Sequence, residues 1–302
     1  MIGEAPLAPL ALFAYNRPEH TARCLASLAA GALAPRSVLH VFVDGPRDAA
    51  GGTLHAAVVA AVEAQRGGFA QLHVHRRERN FGLAANVIVL EDDLVCAAGL
   101  LDYLNAALRR YAHDARVGSI HAYCYPGMPP QPEYFFLEGA DCWGWATWRD
   151  RWQHFEADGR VLLRALLRQR RLTEFTLGFS APYLRMLCRQ ILGRNNSWAV
   201  RWHASLFLRG QLTLYPATSF VQNTGLDGSG THCDATDAYQ SLLSDRLPGD
   251  DTAFPSPVHS RAAAARFRRF FCGDRGVIGR WAFRGASLLT DMTWVARVLL
   301  QR

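Results

Sequence analysis

Apolar runs and amphipathic segments alternate along the first 125 residues of the chain. The apolar runs predict β-strands at residues 7–15, 37–43, 71–75, 87–90 and 117–123. Segments with helical spacing predict helices from Pro18 onward and at residues 56–65 and 99–111. Strands that alternate with helices form βαβ units, in which the strands run parallel and the helices cover the sheet. The pattern therefore predicts an α/β fold with a parallel sheet flanked by helices.

The second half of the chain is richer in aromatic residues and helical patterns. A Pro- and Gly-rich loop precedes an aromatic segment that runs from Tyr134 to Trp152. Further elements are predicted as helices at 161–170, 181–192 and 199–209 and a strand at 212–215. The predicted units are a globular domain at residues 1–245, a linker at 246–259 and a basic amphipathic helical tail at 260–302.

The composition excludes some classes of protein. The chain has 302 residues, of which 50% are hydrophobic and 20% charged, so it can bury a large core and is not disordered. All 33 basic residues are arginine, which excludes a lysine nucleophile or Schiff base. The net charge of +7 favours a polyanionic partner such as a nucleotide or a phospholipid surface. Nucleic acid is not expected, because the first 250 residues hold no compact stripe of arginines and aromatics.

Cysteine usage and the start of the chain bear on location. Seven widely spaced cysteines without a CxxC pair favour free thiols in a reducing cytoplasm. The first residues lack the basic segment of a signal peptide, and no run of 18 apolar residues predicts a spanning helix. We therefore expect a cytoplasmic protein, with a peripheral contact to the inner face of the membrane left open by the basic tail.

The strongest chemical signal is an acidic triplet, Glu91-Asp92-Asp93, directly after the apolar run at 87–90. A continuous apolar run fits a strand buried on both faces, and ligands of open α/β sheets bind at the carboxyl ends of the strands. Adjacent carboxylates repel unless a cation joins them, and oxygen ligands suit Mg²⁺ or Mn²⁺. The triplet predicts a metal bridge to a phosphorylated or nucleotide-linked substrate; the alternative is a solvated acidic turn.

Polar residues also follow the three earlier strands. They are Arg17 after the first strand, Asp44 after the second and Asn80 after the third. Because parallel strands share one carboxyl edge, these side chains are expected to gather beside the acidic triplet.

Seven motifs, in their order along the chain, resemble those of a GT-A fold glycosyltransferase. The resemblance is to bacterial family 2-like sugar transferases and, more distantly, to the N-acetylglucosaminyltransferase I family. The motifs are Phe13–Pro18, Val43–Gly45, Asn80–Leu83, Val89–Leu94, Cys142–Trp148, Ser197–Trp202 and the segment from Val221 to His232. The resemblance covers residues 7–235. It implies a Rossmann-like GT-A fold, with a mixed, mainly parallel sheet flanked by helices, and a nucleotide-sugar donor.

The resemblance assigns donor contacts to residues at the predicted sheet edge. Arg17 and Asp44 would hold the nucleotide, with Asp44 accepting an N–H of the base. Asn80 and Gly82 would line the donor pocket. The structural alternative for Asp44, Asn80 and Gly82 is an ordinary turn.

The resemblance also assigns a Mn²⁺ or Mg²⁺ site. Asp93 would ligate the metal directly, while Glu91 and Asp92 would hold ribose or waters. His232 occupies the place of a late metal ligand, although a lone histidine can equally be structural. The glycine-rich stretch at 228–230 fits a lid over the donor.

The acceptor side is expected near the aromatic motif. Trp143 and Trp145 could stack on sugar rings, and the alternative is a buried aromatic core that takes part of the cluster. Asn196 stands where relatives carry an acidic general base, and an amide cannot accept a proton at neutral pH. Asp141 is the substitute candidate, and its alternative is a loop or helix-cap aspartate. A second departure is that Asn86 abuts Val87, without the helix that the family places before this strand.

The sequence thus favours a metal-dependent, inverting glycosyltransferase acting on a hydroxyl of a saccharide or lipid-linked acceptor, as in surface polysaccharide or glycolipid synthesis. The first alternative is a nucleotide-sugar binding protein that has lost turnover. The second is a metal-dependent phosphohydrolase, which would need further metal ligands. Two interpretations of the tail stay open. It is either a membrane-surface segment, or a segment whose aromatic residues pack back onto the domain while its arginines face water.

Overall fold

The computed structural model describes residues 7–43, 51–76, 86–129, 132–226, 236–249 and 251–301. The strands are β1 (Leu10–Ala14), β2 (Val38–Val43), β3 (Gln71–Arg76), β4 (Asn86–Glu91), β5 (Leu94–Cys96), β6 (Val117–His121), β7 (Tyr134–Glu138), β8 (Trp145–Trp148), β9 (Leu212–Pro216) and β10 (Val221–Asn223). The helices are α1 (Pro18–Ala29), α2 (Gly51–Glu63), α3 (Leu100–Tyr111), α4 (Arg149–Trp152), α5 (Gly159–Arg168), α6 (Leu172–Phe175), α7 (Tyr183–Ile191), α8 (Trp198–Leu208), α9 (Arg261–Cys272) and α10 (Val277–Leu300).

Eight of these strands form one sheet in the order β3-β2-β1-β4-β8-β6-β9-β7. The pairs from β3 to β4 are parallel, β8 runs antiparallel to both of its neighbours, β6 pairs parallel with β9, and β7 closes the sheet antiparallel. The predicted α/β fold with a mixed, mainly parallel sheet flanked by helices is therefore confirmed. The carboxyl ends of β1 to β4 share one edge of the sheet.

Strand β4 is buried on both faces, as its apolar run predicts. Ile88 and Leu90 point into the larger core, beside residues of β1, β2 and α1. Val87 and Val89 point to the opposite face, where they meet a cluster that contains Trp202. Fully burying an aliphatic side chain contributes about 1.5–3 kcal/mol, so these four side chains together strongly favour a central position for β4 in the sheet.

A small second sheet, which the sequence pattern does not predict, lies beside the end of β4. Strands β5 and β10 pair antiparallel over three residues each. Thr224, just after β10, donates its backbone N–H and its hydroxyl to the Asp93 carbonyl oxygen at 2.8 and 3.0 Å. This pairing carries the residues after β10 to the carboxyl edge of the main sheet.

The segment predicted as a linker, residues 246–259, lies along the domain in its described part. The Tyr111 hydroxyl donates to the Pro255 carbonyl at 2.6 Å, and the ring of Phe254 packs 4.9 Å from that of Tyr134. Just beyond the segment, Ser260 donates its N–H to the Phe136 carbonyl at 2.8 Å. The segment therefore joins the domain to the tail by packed contacts.

The predicted tail consists of α9 and α10, and one face of each helix packs back onto the domain. Ala263, Ala264 and Phe267 of α9 enter the larger core, and Val295 and Val298 of α10 join a cluster with α5, α7 and α8. No helix in the described residues is both long enough and apolar enough to cross a bilayer.

A substitution at Gly99 tests how tightly residues 246–259 pack against the domain. A Cβ at this position would lie 2.0 Å from the Arg246 carbonyl oxygen and 3.0 Å from its carbonyl carbon. We expect Gly99→Ala to lower the free energy of unfolding by about 1–3 kcal/mol, because backbone atoms of the segment must move. Urea unfolding measures the difference, with Gly67→Ala as the control because a Cβ there meets no atom within 4 Å. Equal stabilities for the two variants would contradict the close contact.

Candidate active site

The acidic triplet lies at the carboxyl end of β4, as expected, and Arg17 meets it there. Glu91 is the last residue of β4, and Asp92 and Asp93 form the turn into β5. Arg17 Nη1 lies 3.4 Å from Asp93 Oδ2, and both side chains are about four-fifths buried. Arg17 directly precedes α1, where Thr21 donates its N–H and its hydroxyl to the Arg17 carbonyl at 2.9 and 2.8 Å. The first turn of α1 thus fixes the arginine that faces the triplet.

Asp92 connects the ends of β1 and α1. Its Oδ2 accepts the Tyr15 backbone N–H at 3.3 Å and the Thr21 hydroxyl at 3.4 Å. Burial and the charge of Asp93 raise the pKa of Asp92 to about 6, although these two donors and Arg17 oppose the shift.

The other two carboxyl groups are also hard to ionise. Burial, followed by the charges of Asp93 and Asp92, raises the pKa of Glu91 to about 8. Burial raises the pKa of Asp93 as well, while Arg17 is the strongest influence that lowers it. Desolvation disfavours negative charge here more than Arg17 compensates, so a bound cation would stabilise the ionised cluster.

Gly225 lies against the ion pair and is not among the residues that the sequence motifs assign to the site. A Cβ at this position would lie 2.2 Å from Asp93 Oδ2 and 2.6 Å from Arg17 Nη1. Its N–H donates to the Asn223 side-chain oxygen at 2.8 Å. A side chain at this position would have to displace the ends of the Asp93 and Arg17 side chains, and a glycine two residues after β10 is the one sequence signal of this contact.

Asp93 has the properties expected of a metal ligand. Its Oδ1 is buried and has no partner of hydrogen-bonding geometry in the described part of the chain, although the Asn223 amide is near enough to lower the pKa of the carboxyl. Magnesium-type sites use one or two protein carboxylates and complete their shell with waters and phosphates. Within the described residues, no three His, Cys, Asp or Glu side chains converge on a metal position. One carboxylate oxygen, rather than a complete protein cage, is therefore what this part of the site offers.

Asp141 forms a second centre, in the loop between β7 and β8. Its Oδ2 accepts the hydroxyls of Tyr125 at 3.2 Å and Tyr215 at 3.4 Å. Burial raises the pKa of Asp141 to about 7, and these two donors oppose the shift. Asp141 begins no helix, so of its structural alternatives only the loop position applies.

Strand pairing places the two centres close together, because Trp145 at the start of β8 lies opposite Val89 near the end of β4. Cys142, between Asp141 and β8, is influenced by both centres. Burial raises the pKa of its thiol, and the carboxylates of Glu91, Asp141 and Asp93, in that order, raise it further. All three carboxylates therefore lie within electrostatic reach of one side chain, at the same edge of the sheet.

The aromatic motif divides between core and surface. Trp145 is only 2% exposed, and its ring packs 5.5–5.9 Å from those of Trp152, Trp198 and Trp202. The structure thus places Trp145 in the core, where no ring face is open to a sugar. Trp143 is partly exposed and packs edge-on against Tyr123 at 4.8 Å.

Asn196 lies just before α8 and is exposed. Its neighbour Asn195 bonds the Met186 carbonyl at 3.1 Å and accepts the Ser197 N–H at 3.0 Å, and Ser197 caps the helix. Asp44, Asn80, Gly82 and His232 lie outside the described residues, as does the glycine-rich stretch at 228–230, so their roles stay predictions.

Comparison with known proteins adds distant structural likenesses. No protein-family model and no curated protein matches the chain. The structure is similar to galactosyltransferase LgtC in complex with donor and acceptor sugar analogs, with a TM-score of 0.37 and 11% identity over 68% of this chain and 72% of that chain. It is also similar to the mannosyltransferase PcManGT from Pyrobaculum calidifontis in complex with GDP-Man and Mn²⁺, with a TM-score of 0.31 and 14% identity over 48% and 47% of the two chains. At these scores nothing about activity follows, and the family relations expected from the motifs stay predictions.

The raised pKa of Asp141 has a consequence for stability. The Asp141 carboxyl has a pKa of about 7 in the folded protein and about 4 in the unfolded chain. The folded protein therefore becomes less stable as the pH rises between these values, because burial disfavours the ionised carboxylate. We expect Asp141→Asn, which keeps an acceptor oxygen for both tyrosines, to raise the Tm by a few degrees at pH 7.5. The difference should shrink toward zero as the pH falls to about 4. A variant that is less stable than wild type at every pH would contradict the raised pKa of Asp141.

Proposed function

We propose that this chain is a metal-dependent glycosyltransferase that moves a sugar from a nucleotide-sugar donor to a hydroxyl acceptor. The observation that carries the proposal is the buried Asp93 carboxylate at the end of β4. One of its oxygens pairs with Arg17, and the other, although near the Asn223 amide, has no partner of hydrogen-bonding geometry among the described residues. The motif order along residues 7–235 supports the same class.

On this proposal the donor binds across the carboxyl ends of β1, β2 and β4. Arg17 attracts the diphosphate, and Asp93, together with His232, holds Mn²⁺ or Mg²⁺. The bound cation would neutralise charge on the departing nucleoside diphosphate. Glu91 and Asp92 hold ribose or waters, while Asp44, Asn80 and Gly82 contact the base and line the donor pocket.

Asp141 is the proposed general base of an inverting transfer. The acceptor hydroxyl attacks the anomeric carbon in line, and the Asp141 carboxylate accepts its proton. A pKa of about 7 suits a base that works near neutral pH. The hydroxyls of Tyr125 and Tyr215 hold the carboxylate in place. In this proposal Trp143 and Asn196 border the acceptor side. A saccharide or lipid-linked acceptor is proposed from the resemblance to glycosyltransferases alone.

A nucleotide-sugar binding protein without turnover is the second candidate. Asn196 is an exposed amide, whereas the motif resemblance implies an acidic residue at this position. If the protein binds the donor but neither transfers nor hydrolyses it, the result would favour the binding protein over the transferase. The phosphohydrolase alternative is weaker, since it needs a further set of metal ligands and the described residues hold no such group of three.

The metal role of Asp93 can be tested by binding. We expect Asp93→Asn to abolish the Mn²⁺-dependent thermal stabilisation that a nucleotide sugar gives to wild type, because the variant loses the charge that holds the cation. A donor at a hundred times its Kd adds about 2.7 kcal/mol, which a thermal-shift panel of nucleotide sugars with and without Mn²⁺ detects.

Asp114→Asn is the matched control for this experiment. Asp114 lies before β6, which runs in the same direction as β4, so the residue is at the opposite edge of the sheet. The control should bind the donor as wild type does. An Asp93→Asn variant that keeps an unchanged Mn²⁺ dependence would refute the metal assignment.

The role of Asp141 can be tested by rate. We expect Asp141→Asn to lower kcat by about 10²–10⁴-fold while donor binding persists. In wild type, kcat/KM should rise with pH and level off above about 7, because only the ionised carboxylate accepts a proton. The exposed Asp150, as Asp150→Asn, serves as the control. A full rate in the Asp141 variant, or a pH profile that the substitution leaves unchanged, would place the base elsewhere.

A further inference from the structure

The positive charge of the chain is concentrated in its last 43 residues. Residues 260–302 contain nine of the 33 arginines but only two of the 26 acidic residues, Asp274 and Asp291. The preceding residues hold equal numbers of basic and acidic side chains, so the segment of α9 and α10 carries the whole net charge of +7. A field of this size on one segment attracts an anionic partner.

The outer face of α10 is an exposed apolar stripe. Ile278 is 85% exposed, Trp281 68%, Leu289 72%, Met292 41% and Leu300 84%. These residues recur every three to eight positions on one side of the helix, while Val295 and Val298 on the other side are buried against the domain. The helix has 24 residues and is about 36 Å long, so the stripe is far longer than an isolated apolar contact.

A basic cavity of about 260 Å³ opens between α9 and α10, next to the start of the stripe. Its lining is Ala265, Arg268, Arg269, Cys272, Val277, Arg280, Trp281 and Arg284, so four guanidinium groups and no carboxylate face it. Arginine pairs well with phosphate because its fork of N–H donors matches the phosphate oxygens.

The two arginines contributed by α10 are held in place by the protein. Arg284 donates Nε–H to the Gly178 carbonyl at 2.6 Å, and its guanidinium lies 5.3 Å from the centre of the Trp281 ring. Arg280 donates to the Arg275 carbonyl at 2.7 Å. Both side chains are therefore partly ordered before any ligand arrives, which lowers the entropic cost of binding.

We propose that this cavity binds the phosphate of an anionic phospholipid while the α10 stripe lies in the bilayer interface. A bilayer presents phosphates directly beside apolar chains, and Trp281 belongs both to the cavity lining and to the stripe. Basic amphipathic helices bind membranes in this in-plane manner. The inference does not depend on the transferase proposal, because it concerns a surface made by α9 and α10 alone.

A second copy of the chain is the competing occupant of the stripe. Pairing two stripes would bring together two segments that each carry a charge of +7. Like charges at short range repel, whereas an anionic bilayer neutralises them, so the charge distribution favours the membrane.

Vesicle sedimentation of the full-length chain tests the cavity. We expect binding to vesicles of phosphatidylcholine with phosphatidylglycerol, no binding to phosphatidylcholine alone, and weakening as salt rises. Arg268→Gln/Arg269→Gln should lower the affinity by about tenfold or more. The matched pair Arg261→Gln/Arg266→Gln removes equal charge from α9 outside the cavity and should have a clearly smaller effect. Equal losses for the two pairs would overturn the cavity as a site.

The stripe and the source of the phosphate are tested in the same assay. Ile278→Ser/Leu289→Ser should release the protein from vesicles, whereas Leu242→Ser/Leu247→Ser, at exposed leucines outside the tail, should not. Circular dichroism confirms that each variant is folded.

Displacement by inorganic phosphate at the concentration of lipid phosphate would assign a free phosphate ligand instead. A dimer in sedimentation velocity that the stripe substitutions dissociate, without vesicle binding by wild type, would assign a second copy; either result overturns the lipid proposal.

Discussion

The desolvated negative charge at the end of β4 is the constraint on which the candidate site depends. The acidic triplet directly follows the buried apolar residues of β4, with no polar residue between them. Burial raises the pKa of all three carboxyl groups, which belong to Glu91, Asp92 and Asp93. Donors from the end of β1 and the first turn of α1 reach the Asp92 carboxylate, and Thr224, just after β10, donates to the backbone carbonyl of Asp93. Arg17 supplies one countercharge, and one oxygen of Asp93 stays without a partner among the described residues. The fold thus converges on a place that favours one more cation.

Much of this arrangement can be predicted from the sequence, because its signals are local and strong. A continuous apolar run such as 87–90 fits a strand that is buried on both faces, and β4 has this burial. Parallel strands share a carboxyl edge, so the meeting of Arg17 with the acidic triplet follows from strand order alone. Pro18 marks the start of α1 and with it the place of Arg17.

The remaining features depend on contacts between distant segments, which leave little trace in a local pattern. Strands β5 and β10 have three residues each, too few for any periodicity, and only their pairing brings Gly225 to the ion pair. The tyrosines around Asp141 come from a loop and from β9, so its raised pKa has no sequence signal. Amphipathic helices are visible in the tail, but the cavity forms only where the second half of α9 meets the first two turns of α10. The burial of Trp145 likewise follows from its position in β8, beneath α8.

The central claim is that Asp93 holds a divalent cation for a nucleotide donor. A crystal structure with a nucleoside diphosphate and Mn²⁺, recorded at a wavelength where manganese scatters anomalously, tests it most directly. The claim predicts an anomalous peak roughly 2.0–2.2 Å from an Asp93 carboxylate oxygen, with the diphosphate on the other side of the ion. A nucleotide bound at this edge without manganese, or manganese bound away from Asp93, would contradict the claim.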